Sequence, residues 1–169
     1  MIIRVSELDA DGLVITEASA LAHAYSDPAW RLDRIRVTIQ PDGRDVLVGG
    51  ALAATVPQTC GRCLETFPAA VRADLDVRIV PRPSRADSVE LGADDLDVDF
   101  YTDDLLDLGR LLEAETGIAL PMKPLCRADC RGLCPACGAN RNTAPCGCET
   151  RAPDPRLGAL KDLGARLSN

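Results

Sequence analysis

The stretch VRADLDVRI, residues 71–79, alternates without a break: Val71, Ala73, Leu75, Val77 and Ile79 are apolar, and every residue between them is Arg or Asp. Successive side chains of a strand point to opposite faces, so this reads as a strand with one face in a core and the other in water. Working back along the chain, Ile35, Val37 and Ile39 alternate with Arg36, Thr38 and Gln40, and Pro41, Asp42 and Gly43 follow as a turn. Further strands are predicted over 45–48 and 51–56, with Gly49 and Gly50 as a strand-end pair. Segments of this kind joined by short turns make an antiparallel sheet with one wet face.

Working forward, Pro81 and Pro83 lead into a stretch from Asp87 to Asp107 that holds nine acids and no Lys or Arg. It reads as a solvated loop with a short strand near Val98 to Tyr101. Leu105, Leu108, Leu111, Leu112 and Ile118 then fall at helical spacing, with Asp103 or Asp104 as cap and Pro121 as stop. This helix is predicted to cover the apolar face of the sheet. Before Trp30 the pattern is weak, and only the Ala-rich piece 16–25 suggests a short helix. At the far end, Asp154 and Pro155 open a short helix whose stripe is Leu157, Leu160, Leu163 and Leu167. The expected fold class is α+β: an antiparallel sheet that can curl toward a barrel, a covering helix, and a C-terminal cysteine-rich module. The expected division is 1–121 for the sheet domain and 122–169 for that module.

The chain of 169 residues suits one domain with a small appendage. With aromatic residues at 3%, its core must be built from Ala, Val, Leu and Ile. No run of about 18 apolar residues occurs, and the opening MIIRVSELDADG carries acids where an export signal has its apolar stretch. A cytoplasmic protein without a membrane partner is expected. The formal charge of -7, from 26 acids against 19 bases, argues against generic coating of nucleic acid. The charge is uneven, however: residues 122–151 carry Lys123, Arg127, Arg131, Arg141 and Arg151 against Asp129 and Glu149.

The chemistry lies in eight cysteines: Cys60 and Cys63 in CGRC, then Cys126, Cys130, Cys134, Cys137, Cys146 and Cys148 in CRADCRGLCPACGANRNTAPCGC. Without an export signal the thiols should stay reduced, and clustered thiolates need a soft cation, for which zinc is the default. Eight thiolates divide into two tetrahedral sites. In CPAC followed by Gly138, the turn aims both sulfurs at one ion and glycine tolerates the positive φ that follows. Cys60 and Cys63 form a similar turn at a predicted hairpin tip. A thioredoxin-type redox pair would need a helix there, and the pattern after Leu64 is extended.

The preferred partition joins Cys60 and Cys63 to Cys126 and Cys130, and leaves Cys134, Cys137, Cys146 and Cys148 to close a local site. An exchange of Cys130 with Cys134 stays open, as does a solvent-facing Cys126, because CxxxC is a looser ligand spacing than CxxC. Each filled site is expected to stabilise its surroundings by about 10–16 kcal/mol. The segment 126–148 should accordingly be unfolded without metal.

The run LPMKPLCRADCRGLCPACGANRN, residues 120–142, with the closing CGC, the earlier CGRCLETF at 60–67 and the terminal DPRLGALKDL at 154–163, resembles the YceD family of large ribosomal RNA subunit accumulation proteins. The resemblance spans roughly 35–163. It implies a bacterial or plastid protein that supports synthesis, processing or stability of large-subunit rRNA, with no assigned enzymatic chemistry. Seven cysteines match the family motifs directly, and Cys126 sits where the pattern varies. Arg141 stands where the family often has Leu, so a buried role for that middle position is not expected.

The residues themselves also suggest a non-enzyme. His23 is the sole histidine, no GxSxG occurs, Gly49 and Gly50 make no phosphate loop, and eight cysteines would leave no open metal position. Two partner classes follow. Lys123, Arg127, Arg131, Arg141 and Arg151, held around the zinc module, would contact phosphates of large-subunit rRNA or a pre-ribosomal particle. Alternatively, the acidic 87–107 run would receive a basic ribosomal protein or assembly factor without touching RNA. A cysteine redox or metal-sensing switch is the third reading. Oligomeric state is not legible.

Overall fold

In the computed structural model, residues 1–21, 23–82 and 98–148 are described. Strand alternation decides most of what forms. Strand β1 is Ile2–Arg4, β2 Leu13–Ile15, β3 Arg31–Asp42, β4 Asp45–Thr59, β5 Thr66–Pro81, β6 Val98–Tyr101 and β7 Leu105–Asp107, followed by the helix α1, Leu108–Ile118. The inward set of β3, Ile35, Val37 and Ile39, is buried, and so are Val71, Ala73, Leu75 and Ile79 of β5. Between the latter, Arg72, Asp74 and Asp76 are exposed. The sheet is therefore wet on one face, as the period of two requires.

Five strands form one sheet in the order β2-β3-β4-β5-β6, and β1 pairs with β7 in a separate two-stranded sheet. Three features correct the expectations from sequence. First, 45–48 and 51–56 are one continuous strand, since Val37 pairs with Gly50 and Thr38 with Gly49 inside the ladder. Gly50 has φ of 140°, and a Cβ there would lie 2.0 Å from the Arg36 carbonyl oxygen, so the strand passes this point only because the residue is glycine. Second, β6 runs parallel to β5, with Arg78 opposite Val98 and Pro81 opposite Tyr101. The sheet is mixed rather than purely antiparallel. Third, β2 pairs with β3 and β6 with β5, leaving the sheet open rather than closed as a barrel among the described residues.

The helix begins later than its leucine spacing suggests. Leu105 belongs to β7, which pairs with β1 through Arg4, and Leu108 starts the helix. Asp107 is the cap, its side chain accepting from the Arg110 N–H at 3.3 Å. Asp103 and Asp104 instead turn the chain with φ of 54° and 64°. The Asp104 carboxylate accepts from the backbone N–H and the hydroxyl of Ser6, so its oxygens serve the N-terminal segment. Leu108, Leu111 and Leu112 enter the core, whereas Ile118 is 79% exposed at the last helical position.

Thr116 is fully buried on α1 and donates its hydroxyl proton to the Leu112 carbonyl at 2.7 Å. A hydroxyl has one proton, so Tyr25 is the donor in the 3.0 Å contact between the two hydroxyls. Burial raises the Tyr25 pKa from its ordinary value, which keeps that proton in place. Tyr25 meets Trp30 edge-on at 5.5 Å, and this pair anchors the weakly patterned N-terminal stretch, where a 3-10 turn at Ala18–Leu21 replaces the expected helix.

The chain divides into two compact units. Met1–Gln58 and Thr66–Pro124 make the first; Thr59–Glu65 and the segment from Leu125 on make the second. Both sheets and α1 belong essentially to the first. The terminal helix read at 154–167 and the acids from Asp87 to Asp97 lie outside the described residues. Two alanine substitutions should act with opposite sign. Gly117 has open space around its Cα, so Gly117→Ala should raise the unfolding free energy of the first unit by about 0.5–1 kcal/mol. Gly50→Ala should lower it by more than that, or prevent folding; urea denaturation of both variants measures the contrast.

Candidate metal centres

Two turns of the same design present four of the cysteines. In the first, the Leu64 N–H donates to the Cys60 carbonyl at 3.0 Å and the Cys60 N–H to the Glu65 carbonyl at 2.9 Å. In the second, the Gly138 N–H donates to the Cys134 carbonyl and the Cys134 N–H to the Ala139 carbonyl, both at 2.8 Å. The fifth residue of each turn is left-handed, with φ of 60° at Leu64 and 74° at Gly138. This closes the backbone on itself and leaves the amides inside the turn aimed at sulfur. The CxxC at 60–63 lies between β4 and β5 and is followed by strand, not helix, as the extended pattern after Leu64 predicts.

The sulfurs gather in two tetrads. Those of Cys60, Cys63, Cys126 and Cys130 lie within 4.8 Å of one another, and so do those of Cys134, Cys137, Cys146 and Cys148. The structure thus brings Cys126 into the first set, half-buried rather than solvent-facing, and keeps Cys130 and Cys134 in the preferred partition. Cys60 and Cys130 are 3.8 Å apart and Cys63 and Cys126 3.7 Å. Four sulfurs at about 2.3 Å from one ion would be separated by about 3.8 Å along each tetrahedral edge. A disulfide would require about 2.05 Å. The donor set and its spacing fit a soft dication in each tetrad.

Electrostatics within each tetrad are uneven. The Cys60 thiol is lowered to about 6, chiefly by the backbone N–H of Cys126 and then by that of Cys63. Cys134 is likewise lowered to about 6, by the N–H groups of Cys137 and Ala136. Cys126 is pushed up to about 12 by desolvation and by its sulfur neighbours. Cys148 is pushed up to about 12 as well, first through its contacts with Cys137 and Cys134. Burial works against ionisation of Cys130, but the Asn142 amide and the Gly132 N–H outweigh it and lower that thiol too. Amide donors thus favour particular thiolates, and Cys126 and Cys148 need a cation before they can ionise.

Other residues hold the tetrad loops, and sequence reasoning had not singled them out. Arg62 Nη1 donates to the carbonyls of Cys130 at 3.0 Å and Ala128 at 3.4 Å, while the Arg62 carbonyl accepts from the Leu133 N–H. Gly132, with φ of 68°, fits against that carbonyl where a Cβ would come within 2.9 Å of its oxygen. Asn142 Nδ2 donates to Cys130 Sγ at 3.2 Å and to Asn140 Oδ1 at 2.9 Å. The one signal for these roles is the pair of asparagines two apart inside a cysteine loop, where an amide can donate to sulfur and accept from backbone.

Of the basic residues picked from sequence, Lys123, Arg127, Arg131 and Arg141 are all exposed. Arg127 is engaged with its own unit: Nη2 donates to Asn142 Oδ1 at 2.9 Å and Nε lies 3.4 Å from Asp129. The guanidinium groups of Arg131 and Arg141 have no hydrogen-bond or ion-pair partner among the described residues, and Arg151 lies outside them. Of the acidic run, Asp104 and Asp107 serve Ser6 and the helix cap. His23 is exposed. The cavity of about 470 Å³ beside Tyr25 and Trp30 offers only Ser19 and Arg31 as further polar side chains.

A family model described as Large ribosomal RNA subunit accumulation protein YceD matches residues 48–164, a span holding all eight cysteines. Among curated proteins, the chain is similar to uncharacterised proteins of Mycobacterium tuberculosis and Mycobacterium bovis, each 32% identical over 118 residues, covering 70% of this chain and 55% of the relative. A Mycobacterium leprae protein is 33% identical over 107 residues, covering 63% of this chain and 48% of its own. The chain thus spans about half the length of the curated relatives it matches. No solved structure matches it.

Titrated with cobalt(II), the reduced protein should develop the absorption of tetrahedral tetrathiolate coordination and saturate at two ions per chain. Binding should weaken as pH falls, because each bound ion must displace thiol protons. As the Cys60 and Cys134 thiols are lowered to about 6, the slope of log affinity against pH should steepen as pH falls through that region and those thiols also take up protons. Saturation at one ion, or an affinity indifferent to pH, would contradict this assignment.

Proposed function

The chain belongs to the YceD family, and from that premise we propose that it is a non-enzymatic factor in large ribosomal subunit biogenesis, supporting synthesis, processing or stability of large-subunit rRNA. The observation that carries the reading is the family match over 48–164. The structure supports its non-catalytic form. The two tetrads supply four sulfurs each, which completes a tetrahedral shell and leaves no position for a reacting water.

We infer that the metal is zinc. Four thiolates select a soft or borderline cation over magnesium or calcium, and zinc takes a tetrahedral sulfur shell without redox demands. Bound there, it would supply charge neutralisation and cross-linking and no chemistry of turnover. Cys60 and Cys63 would hold one ion with Cys126 and Cys130; Cys134, Cys137, Cys146 and Cys148 would hold the other. A cytoplasmic setting follows from the ribosomal role proposed here; separately, among the described residues no helix is long and apolar enough to cross a membrane.

For the partner, we favour direct contact with large-subunit rRNA or a pre-ribosomal particle through Lys123, Arg131 and Arg141, whose charged ends are exposed. Arg127 contributes less, being held by Asn142 and Asp129. The adaptor reading, in which the acidic run receives a basic ribosomal protein, has less support, since Asp104 and Asp107 are used within the fold. A thioredoxin-type switch at Cys60 and Cys63 has less support, since such a pair opens a helix and here strand β5 follows it, while the lowered Cys60 thiol belongs to a set of four sulfurs rather than to an isolated pair.

Deleting the gene in its native host should reduce large-subunit rRNA relative to small-subunit rRNA, and an unchanged ratio would sink the family-level reading. Direct contact has its own measurement. Three phosphate contacts predict that log affinity for large-subunit rRNA falls against log salt with a slope of about -2 to -3. Arg141→Ala should make that slope shallower by about one. Binding that ignores salt removes RNA contact and leaves the adaptor.

A further inference from the structure

Asn142 lies in the loop between Cys137 and Cys146, which both belong to the second tetrad, yet its side chain is committed to the first. Its Nδ2 donates to Cys130 Sγ at 3.2 Å and to Asn140 Oδ1 at 2.9 Å. Its Oδ1 accepts from the Arg131 N–H at 2.8 Å and from Arg127 Nη2 at 2.9 Å. A primary amide has two donors and two acceptor positions, and all four are used. The orientation is unambiguous as well. Both partners of Oδ1 can only donate, so the N–H, not the oxygen, must face the sulfur. The Asn142 backbone N–H adds a further bond to Asn140 Oδ1 at 3.0 Å, and Thr143 donates through both its N–H and its hydroxyl to the Asn140 carbonyl.

We propose that Asn142 is a positioning residue through which the second tetrad controls the first, so that the two sites fill cooperatively. This rests on reading both tetrads as metal sites. A neutral amide N–H stabilises a thiolate without competing for the ion, and outer partners of this kind orient ligands and tune metal affinity. An ion joining Cys137 to Cys146 closes the loop that carries Asn142, so the entropy of placing the amide against Cys130 is met by the second binding event. Occupation of the second site therefore strengthens the first, and linkage makes the effect reciprocal.

The test uses the full reduced chain, with zinc affinity measured against a competing chelator and cadmium-113 resonances reporting each site separately. Asn142→Asp retains both acceptor bonds and removes both donors, to Cys130 Sγ and to Asn140 Oδ1; Asn140→Ala, which removes only the second, is the control for simple support of the loop. First-site affinity should fall about 10–100-fold, and the first-site cadmium resonance should shift. Asn142→Ala, which adds no charge, should reproduce the loss. Cys146→Ser, which disables the second site, should weaken the first by about 5-fold or more with Asn142 present. It should have no further effect in the Asn142→Asp background. An Asn142→Asp chain that matches the unmutated protein at the first site overturns the proposal, as does a first site indifferent to Cys146→Ser. If the unmutated chain takes up no metal at all, the tetrads are not metal sites and the premise itself fails.

Discussion

Four thiols packed within 4.8 Å of each other cannot all ionise unless a cation sits among them. This constraint governs the second unit. The N–H groups of the turn at 60–63, together with that of Cys126, lower the Cys60 thiol, and the counterpart turn at 134–137 does the same for Cys134. Cys126 is pushed up by desolvation and Cys148 by its sulfur neighbours, so full ionisation of either tetrad calls for a cation among the sulfurs. Among the described residues the buried apolar surface of this unit is cysteine: Cys60, Cys63, Cys130 and Cys134. A unit whose core consists of ligands depends on what they bind.

The first unit has the opposite character. Its stability comes from Val, Ile and Leu on strands of 12, 15 and 16 residues and on one helix face, with few aromatic side chains. It also supplies the covalent frame for the first tetrad, because the turn at 60–63 connects two of those strands. The Leu64 backbone is left-handed there without a glycine to relieve it, whereas the turn at 134–137 uses Gly138 for the same step. The cost of about 1–2 kcal/mol is tolerable in a connection whose ends are already fixed by long ladders. A turn in the more self-reliant segment has no such support, and it carries the glycine.

How far the sequence was legible follows from length and period. Strands β3 and β5 show themselves because they run long enough for alternation to be unmistakable, and the two CxxC turns because their two-residue gap is a local pattern that brings a pair of sulfurs together. Strands β1, β2 and β7 have three residues each, too few to display any period, and they form only because partners exist far along the chain. Leu105 matched the helical stripe by spacing, but backbone pairing with Arg4 held it in a strand and moved the cap to Asp107. Gly49 and Gly50 looked like an ending, yet the close approach of the Arg36 carbonyl makes glycine the residue that lets the strand continue. The role of Arg62 leaves no trace in the sequence and that of Asn142 only the paired asparagines, because each depends on which loop folds against which cysteine.

Charge within the second unit also bears on what it can touch. A dication held by four thiolates carries two net negative charges, so two filled tetrads carry four. Arg62, Arg127, Arg131 and Arg141 balance them one for one, and Glu65 and Asp129 remain. The described part of the unit is then slightly acidic, although its sequence reads as basic. Any attraction to phosphate must arise from where individual guanidinium groups stand rather than from net charge, and here the arginines divide. Arg62 and Arg127 face inward to loop carbonyls and to Asn142, close enough to offset the sulfurs. Arg131 and Arg141 are exposed and have no such partner among the described residues. A metal charge bound in this way would thus limit the module's electrostatic reach, which favours short-range, geometrically defined contact over long-range steering.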